Sequence, residues 1–287
     1  MFGTDRTEEQ KLSPKVTDEG NMLRDITLGQ YYPADSVIHK LDPRVKITGT
    51  FLYIISLFLV RDIWGYAVAL AFLASMIIIS RVPVSYMVRG LKGILFILLF
   101  TAAFNVFFTP GQVIWSLGKV HATREGLRIA IRMVIRLIFL VMGTSIMTLT
   151  TTPNQLTDGL EKVLRPLRHI GVPVHEVAMM MSIALSFIPI LIEELDKIMK
   201  AQSARGADFE SKKLSVRMKS MVPVLVPLFV SAFRRAGDLA NAMEARCYHG
   251  GEGRTRMKPL RYVKRDLLAY LILLIYLALV ILAGILF

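Results

Sequence analysis

The chain has 287 residues, 54% of them hydrophobic, with a formal net charge of +13 and a pI of about 10.0. A mean hydropathy of +0.51 excludes an ordinary soluble domain and points to a membrane protein. The surplus of cations suits anionic lipid or an acidic protein partner. It lies between apolar segments and lacks an aromatic-rich RNA-binding signature, which argues against nucleic acid.

Residues 1–22 are polar, of mixed charge and without an apolar core. Residues 1–23 are therefore expected to be a disordered leader and not a signal peptide. A lead-in follows, with Gly29-Gln30-Tyr31-Tyr32-Pro33, Ser36, His39, Leu41-Asp42-Pro43-Arg44 and Lys46. Asp42-Pro43 can cap and start a helix.

Apolar stretches follow over 45–60 and 64–80, interrupted by Arg61 and Asp62. Each is near the lower limit for a spanning helix, about 17 residues. A third covers 91–108 and ends at Thr109-Pro110-Gly111, a turn signal. A fourth covers 129–150, and 267–287 is an unbroken apolar run. Five transmembrane helices are thus expected.

Between the fourth and fifth spans the pattern changes. Thr152 can cap a helix with Pro153 at its first position. Residues 153–170 are amphipathic, with Leu156, Leu160, Val163, Leu164 and Leu167 on one side, and should lie along the membrane surface. Residues 173–204 and 214–245 are two longer helices, each apolar in its first half and charged in its second. Pro189, Pro223 and Pro227 lie inside them, where kinks are expected. We read both as oblique or parallel to the membrane. From 194 to 265 there are sixteen Lys or Arg against seven Asp or Glu, a surplus of nine. The positive-inside rule puts this region, and with it the N-terminus, in the cytoplasm. The single cysteine, Cys247, precludes an intrachain disulfide and fits that side.

Catalytic signatures are missing. There is no nucleotide-binding Gly-x-x-x-x-Gly-Lys-Ser/Thr loop, Gly-x-Ser-x-Gly elbow or His-Glu-x-x-His, and the five histidines lack metal-ligand spacing. Acidic residues buried in spans are also not expected. Three features stand out instead. Ala-x-x-Ala-Arg-Gly/Cys occurs twice, at 201–206 and at 242–247. Small residues clear one helix face for a close partner, and the guanidinium can reach carboxylates or carbonyls as a planar fork. The simpler reading is an arginine complementing the helix dipole. Arg124, Arg128, Arg132 and Arg136 are spaced by four, either facing a partner or polar seam, or snorkelling and pairing within the chain. Met179, Met180, Met181, Met218 and Met221 suit either an adaptable docking surface or ordinary core and lipid contact.

Together these residues resemble the transmembrane coupling (T) component of energy-coupling factor ABC transporters. The resemblance rests on Gly29-Gln30-Tyr31, Ser36, His39, Leu41-Asp42-Pro43-Arg44 and Lys46. It continues through Thr152-Pro153, Leu156, Gly159-Leu160-Glu161 and Pro166-Leu167, and ends in Ala204-Arg205-Gly206 and Ala245-Arg246-Cys247. It covers 24–287 and departs from the first motif at Cys247.

The resemblance implies an all-α integral membrane protein. Its plan would be membrane helices over 24–151, a cytoplasmic coupling domain over 152–262 and a last membrane helix over 263–287. Each arginine motif would dock one of two ABC ATPase subunits, while the methionines would contact a substrate-binding S component that captures a vitamin or transition-metal ion. The chain would be no enzyme and hold no cofactor, with ATP and Mg bound by the partner ATPases. A conventional permease lining its own substrate path is the alternative, and would need polar residues deep in several spans. A membrane enzyme acting on phosphorylated lipids would need a metal or acid–base cluster.

Overall fold

A computed structural model of the chain describes residues 31–60, 62–117, 120–209, 211, 213–250 and 259–286. The expected leader, Gly29, Gln30, Arg61 and Lys119 lie outside the described residues. The elements are α1 (Pro43–Leu59), α2 (Ile63–Ser80), α3 (Val84–Phe108), β1 (Val113–Leu117), β2 (Val120–Thr123), α4 (Arg124–Thr150) and α5 (Pro153–Val163). A 3-10 helix (Arg165–Ile170) leads to α6 (Val174–Ala204), α7 (Leu214–Ala245) and α8 (Lys264–Leu286). The described residues form two compact units, Ser186–Tyr248 and the remainder, with the boundary inside α6.

Local chemistry sets the helix starts. The Asp42 carboxylate accepts the Arg44 N–H at 2.9 Å, with Pro43 in the first turn of α1. Thr123 caps α4 by accepting the Gly126 N–H at 3.1 Å. Thr152 and Gln155 form a reciprocal capping box on α5, each bond 3.3 Å. Helices α6 and α7 continue through Pro189, Pro223 and Pro227.

The larger unit contains a bundle of α1, α2, α3, α4 and α8. Helices α1 and α8 start side by side, because the Asp42 N–H donates to Asp266 Oδ1 at 2.9 Å. Helix α4 ends at the same level, where Lys46 Nζ donates to the Thr150 carbonyl at 2.8 Å and to that of His39 at 3.2 Å. At the far end Arg136 Nη2 donates to the Val60 carbonyl, 3.1 Å away, so α4 runs antiparallel to α1. Leu57 and Met87 are fully buried. Phe72 and Tyr276 stack at 4.2 Å beside Tyr53, and Ser56 Oγ bonds the Tyr276 hydroxyl at 2.7 Å. In lipid, close packing and such interhelical bonds hold helices together, because burial from water no longer drives their association.

Four expectations change. Asp266 is a buried acid, 3% exposed, where none was expected. It sits in the first turn of α8, and its Oδ2 also accepts the Val263 N–H at 2.8 Å. Its charge is held by backbone donors at two helix starts, so it is a clamp and not a relay. Helix α3 begins at Val84, seven residues before the apolar run, because Arg89 interrupts the apolar pattern of its first turns. An antiparallel hairpin, β1–β2, joins α3 to α4, with Val113 opposite Thr123 and an irregularity between Val113 and Trp115. Finally, among the described residues six helices are long and apolar enough to cross a membrane: α2, α3, α4, α6, α7 and α8. Five spans were expected. At 17 residues α1 is shorter than those six, while α6 and α7 qualify through their apolar first halves.

Of the arginine row, Arg124, Arg128 and Arg132 are exposed. Arg136 is half-buried, its guanidinium carbon 5.5 Å from the centre of the Phe58 ring. Its bond to Val60 places a cation at the carbonyl end of α1, where the helix dipole favours it.

Candidate functional site

The two arginine motifs end their helices in the same way. After α6, the Gly206 N–H bonds the Ser203 carbonyl and the Ala207 N–H bonds the Gln202 carbonyl, both at 3.0 Å. After α7, the Cys247 N–H bonds the Glu244 carbonyl at 2.8 Å and the Tyr248 N–H bonds the Met243 carbonyl at 3.0 Å. Each is the paired bonding of a Schellman cap, which needs a left-handed residue just past the helix. Gly206 supplies it at φ 87°, and Cys247 at φ 54°. The cysteine therefore does conformationally what the glycine does.

Ala204, Arg205, Gly206, Ala245, Arg246 and Cys247 are all exposed. Each arginine thus projects from a fixed turn beside small residues that leave space for a partner backbone. The simpler reading, a cation complementing the helix dipole, applies to the same positions.

Within this unit two bonds set the spacing of the motifs. Arg235 Nη2 pairs with Glu194 Oε2 at 3.0 Å, and Gln202 Nε2 donates to the Pro223 carbonyl at 3.4 Å. The C-terminal half of α6 therefore runs antiparallel to α7. Arg205 lies near the first turns of α7 and Arg246 beyond its last. The 23 residues from Pro223 to Arg246 rise about 35 Å at 1.5 Å each. One small ligand cannot bridge that distance, but two separate sockets can.

Helix α7 also carries an exposed apolar face. Met218, Met221, Val222, Leu225, Val226, Phe229, Val230 and Phe233 are exposed and recur at three- and four-residue steps. Sequence reasoning singled out only Met218 and Met221. The helical period would have found Phe229 and Phe233, the largest side chains on that face. On α6, Met180 and Met181 are exposed and Met179 is half-buried.

The expected leucine face of α5 is half-buried from Leu156 to Leu164, and Leu167 is exposed. The close contact with α1 is made by Gly159. A Cβ there would come within 2.8 Å of both Ile47 Cδ1 and Pro43 Cβ. In the lead-in, His39 Nε2 donates to the Tyr32 carbonyl at 3.0 Å, and its Nδ1 shares a hydrogen bond with Ser36 Oγ at 2.7 Å. Burial holds the His39 pKa below its ordinary value. Among the described residues no group of three or more His, Cys, Asp or Glu could hold a metal ion.

A bundle of long apolar helices with lipid-suited exposed faces defines a multi-pass helical membrane protein. Residues 34–257 match the cobalt transport protein family. The energy-coupling factor transporter transmembrane protein of Ruminiclostridium cellulolyticum is 54% identical over 261 residues, 91% of this chain and 98% of the relative. Its counterparts are 53% identical over 268 residues in Clostridium kluyveri (92% and 98%) and 46% over 246 in Bacillus subtilis (85% and 93%). The chain belongs to this family of transmembrane components of energy-coupling factor transporters.

Proposed function

We propose that this chain is the coupling subunit of an ATP-driven importer, transmitting movement from two ABC ATPase subunits to a membrane-embedded S component. Arg205 and Arg246, each with its small neighbours, are the two ATPase-docking points. The observation that carries this reading is the pair of identically capped, exposed arginine turns, set about 35 Å apart along α7. A chain without a nucleotide loop needs an outside source of work, and two matched sockets suit two ATPases. ATP and Mg belong to those partners.

The apolar face of α7 that includes Met218 and Met221, and separately Met180 and Met181 with their neighbour Met179 on α6, suits an S component that changes with the cargo. The cargo class is a vitamin or a transition-metal ion. Residues 152–262 act as the coupling domain between membrane helices at 24–151 and 263–287. The positive surplus from 194 to 265 supports a cytoplasmic side for the motifs and the N-terminus.

The test is the double variant Arg205→Ala/Arg246→Ala, expressed with its partner subunits. It should reach the membrane yet lose both co-purifying ATPase and uptake. Removing one arm of a buried charged contact costs about 2–5 kcal/mol. Persistence of bound ATPases and uptake in the double variant would refute the reading.

A further inference from the structure

A cleft of about 150 Å³ lies between α1, α2, α4 and α8, and no residue of the arginine motifs lines it. Its walls are apolar, and its inner part is formed by Tyr53, Phe72 and Leu73 beside Gly49. Lys46 and Arg265 are the only charged residues lining it, with no carboxylate among the lining residues. Both stand at the end where α1 and α8 begin, so the cleft has a basic end and an apolar interior. From Lys46 to Tyr53 it runs about 10 Å along α1, at 1.5 Å per residue.

Four of its apolar lining residues, Val37, Ile79 on α2, and Leu268 and Ile272 on α8, are exposed, so the cleft reaches the apolar outer surface there. Lys46 gives two hydrogen bonds to carbonyls and has a third donor left. Arg265 is exposed at the first turn of α8. An apolar cavity of this size in a protein core accepts a small hydrocarbon. In a bilayer the hydrocarbon at hand is an acyl chain, and the cations at one end, exposed Arg265 and Lys46, which feels the Asp42 charge yet keeps a donor, favour an acidic head group.

We propose that this cleft holds the head-proximal part of one acyl chain of an anionic amphiphile, whose acidic head is bound by Arg265 and the remaining donor of Lys46. The amphiphile is either an anionic phospholipid of the surrounding bilayer or a free fatty acid. Such a ligand fills the space between α1, α2 and α8 and ties their shared end to the membrane surface.

The test is native mass spectrometry of the delipidated full chain in mild detergent, titrated with dioleoyl phosphatidylglycerol, dioleoyl phosphatidylcholine or oleate. Phosphatidylglycerol should bind at least about fivefold more tightly than phosphatidylcholine, and Arg265→Gln should weaken it about fivefold, the effect of one cation near an anionic head. A Cβ on Gly49 meets only Leu273 Cδ2, at 4.0 Å, so Gly49→Leu directs a side chain into the cleft. That variant should abolish binding while its melting temperature holds, and Ala269→Leu tests the same space from α8 should Gly49→Leu fold poorly. Displacement of phosphatidylglycerol by oleate, lost in the same variants, assigns the site to free fatty acid; its failure assigns the site to bilayer lipid. Equal affinity for the two phospholipids, or binding unchanged in both cleft-filling variants, overturns the proposal.

Discussion

Cys247 holds at φ 54° the left-handed position that Gly206 holds at φ 87°, and both sit inside the same pair of capping hydrogen bonds. The one departure between the two motifs is thus a change of residue without a change of shape. The left-handed region costs a residue with a Cβ about 1–2 kcal/mol. Cys247→Gly should therefore stabilise the end of α7 by about 1 kcal/mol and raise the melting temperature of the purified chain. Gly206→Ala should act in the opposite sense by a similar amount.

Asp266 ties two helix starts through the N–H groups of Asp42 and Val263. Asp266→Ala leaves both donors without this acceptor and should cost about 2–3 kcal/mol, in the range for hydrogen bonds to a charged group. Thermal unfolding in detergent measures the loss. Hydrogen exchange at the start of α8 should rise in the same variant, which separates loss of the clamp from a general loosening.

Gly159 lets α5 approach α1 closely, and the Cβ of any other residue would meet Ile47 and Pro43. Gly159→Leu should overpack this contact and cost about 1–3 kcal/mol. Its uptake defect should exceed that of Leu167→Ala, which removes an exposed side chain.

His39 gives a pH dependence of definite sign. Burial disfavours its charged form, so the folded value lies below the ordinary 6.5. As pH falls, the unfolded chain takes up the proton first. The contribution of His39 to stability is whole above about 6.5 and declines below it, towards the lower folded value. Melting temperatures measured through that range should fall less steeply in His39→Gln than in the parent chain.

Caps that act within a few residues were legible from sequence. Asp42-Pro43, Thr152-Pro153 and Gly206 all behave as their local chemistry dictates. Asp266 was not legible as a clamp, because its partner Asp42 is 224 residues away. Nor was Arg136 as the cap of α1, since the spacing of four along α4 says nothing about Val60. The hairpin at β1–β2 was not read from the sequence, although its β-branched and aromatic residues flanking Gly118 carry a strand signal. Both arginine motifs were visible as repeats. Their equivalence was not, because nothing local to Cys247 announces a left-handed conformation.

Cross-linking at the two cap positions tests the docking account most directly. In the full complex, Cys247 should cross-link to an ATPase subunit through a short bifunctional thiol reagent. Gly206→Cys in a Cys247→Ser background should do so to the second ATPase. An active complex in which neither position reaches an ATPase would contradict the account.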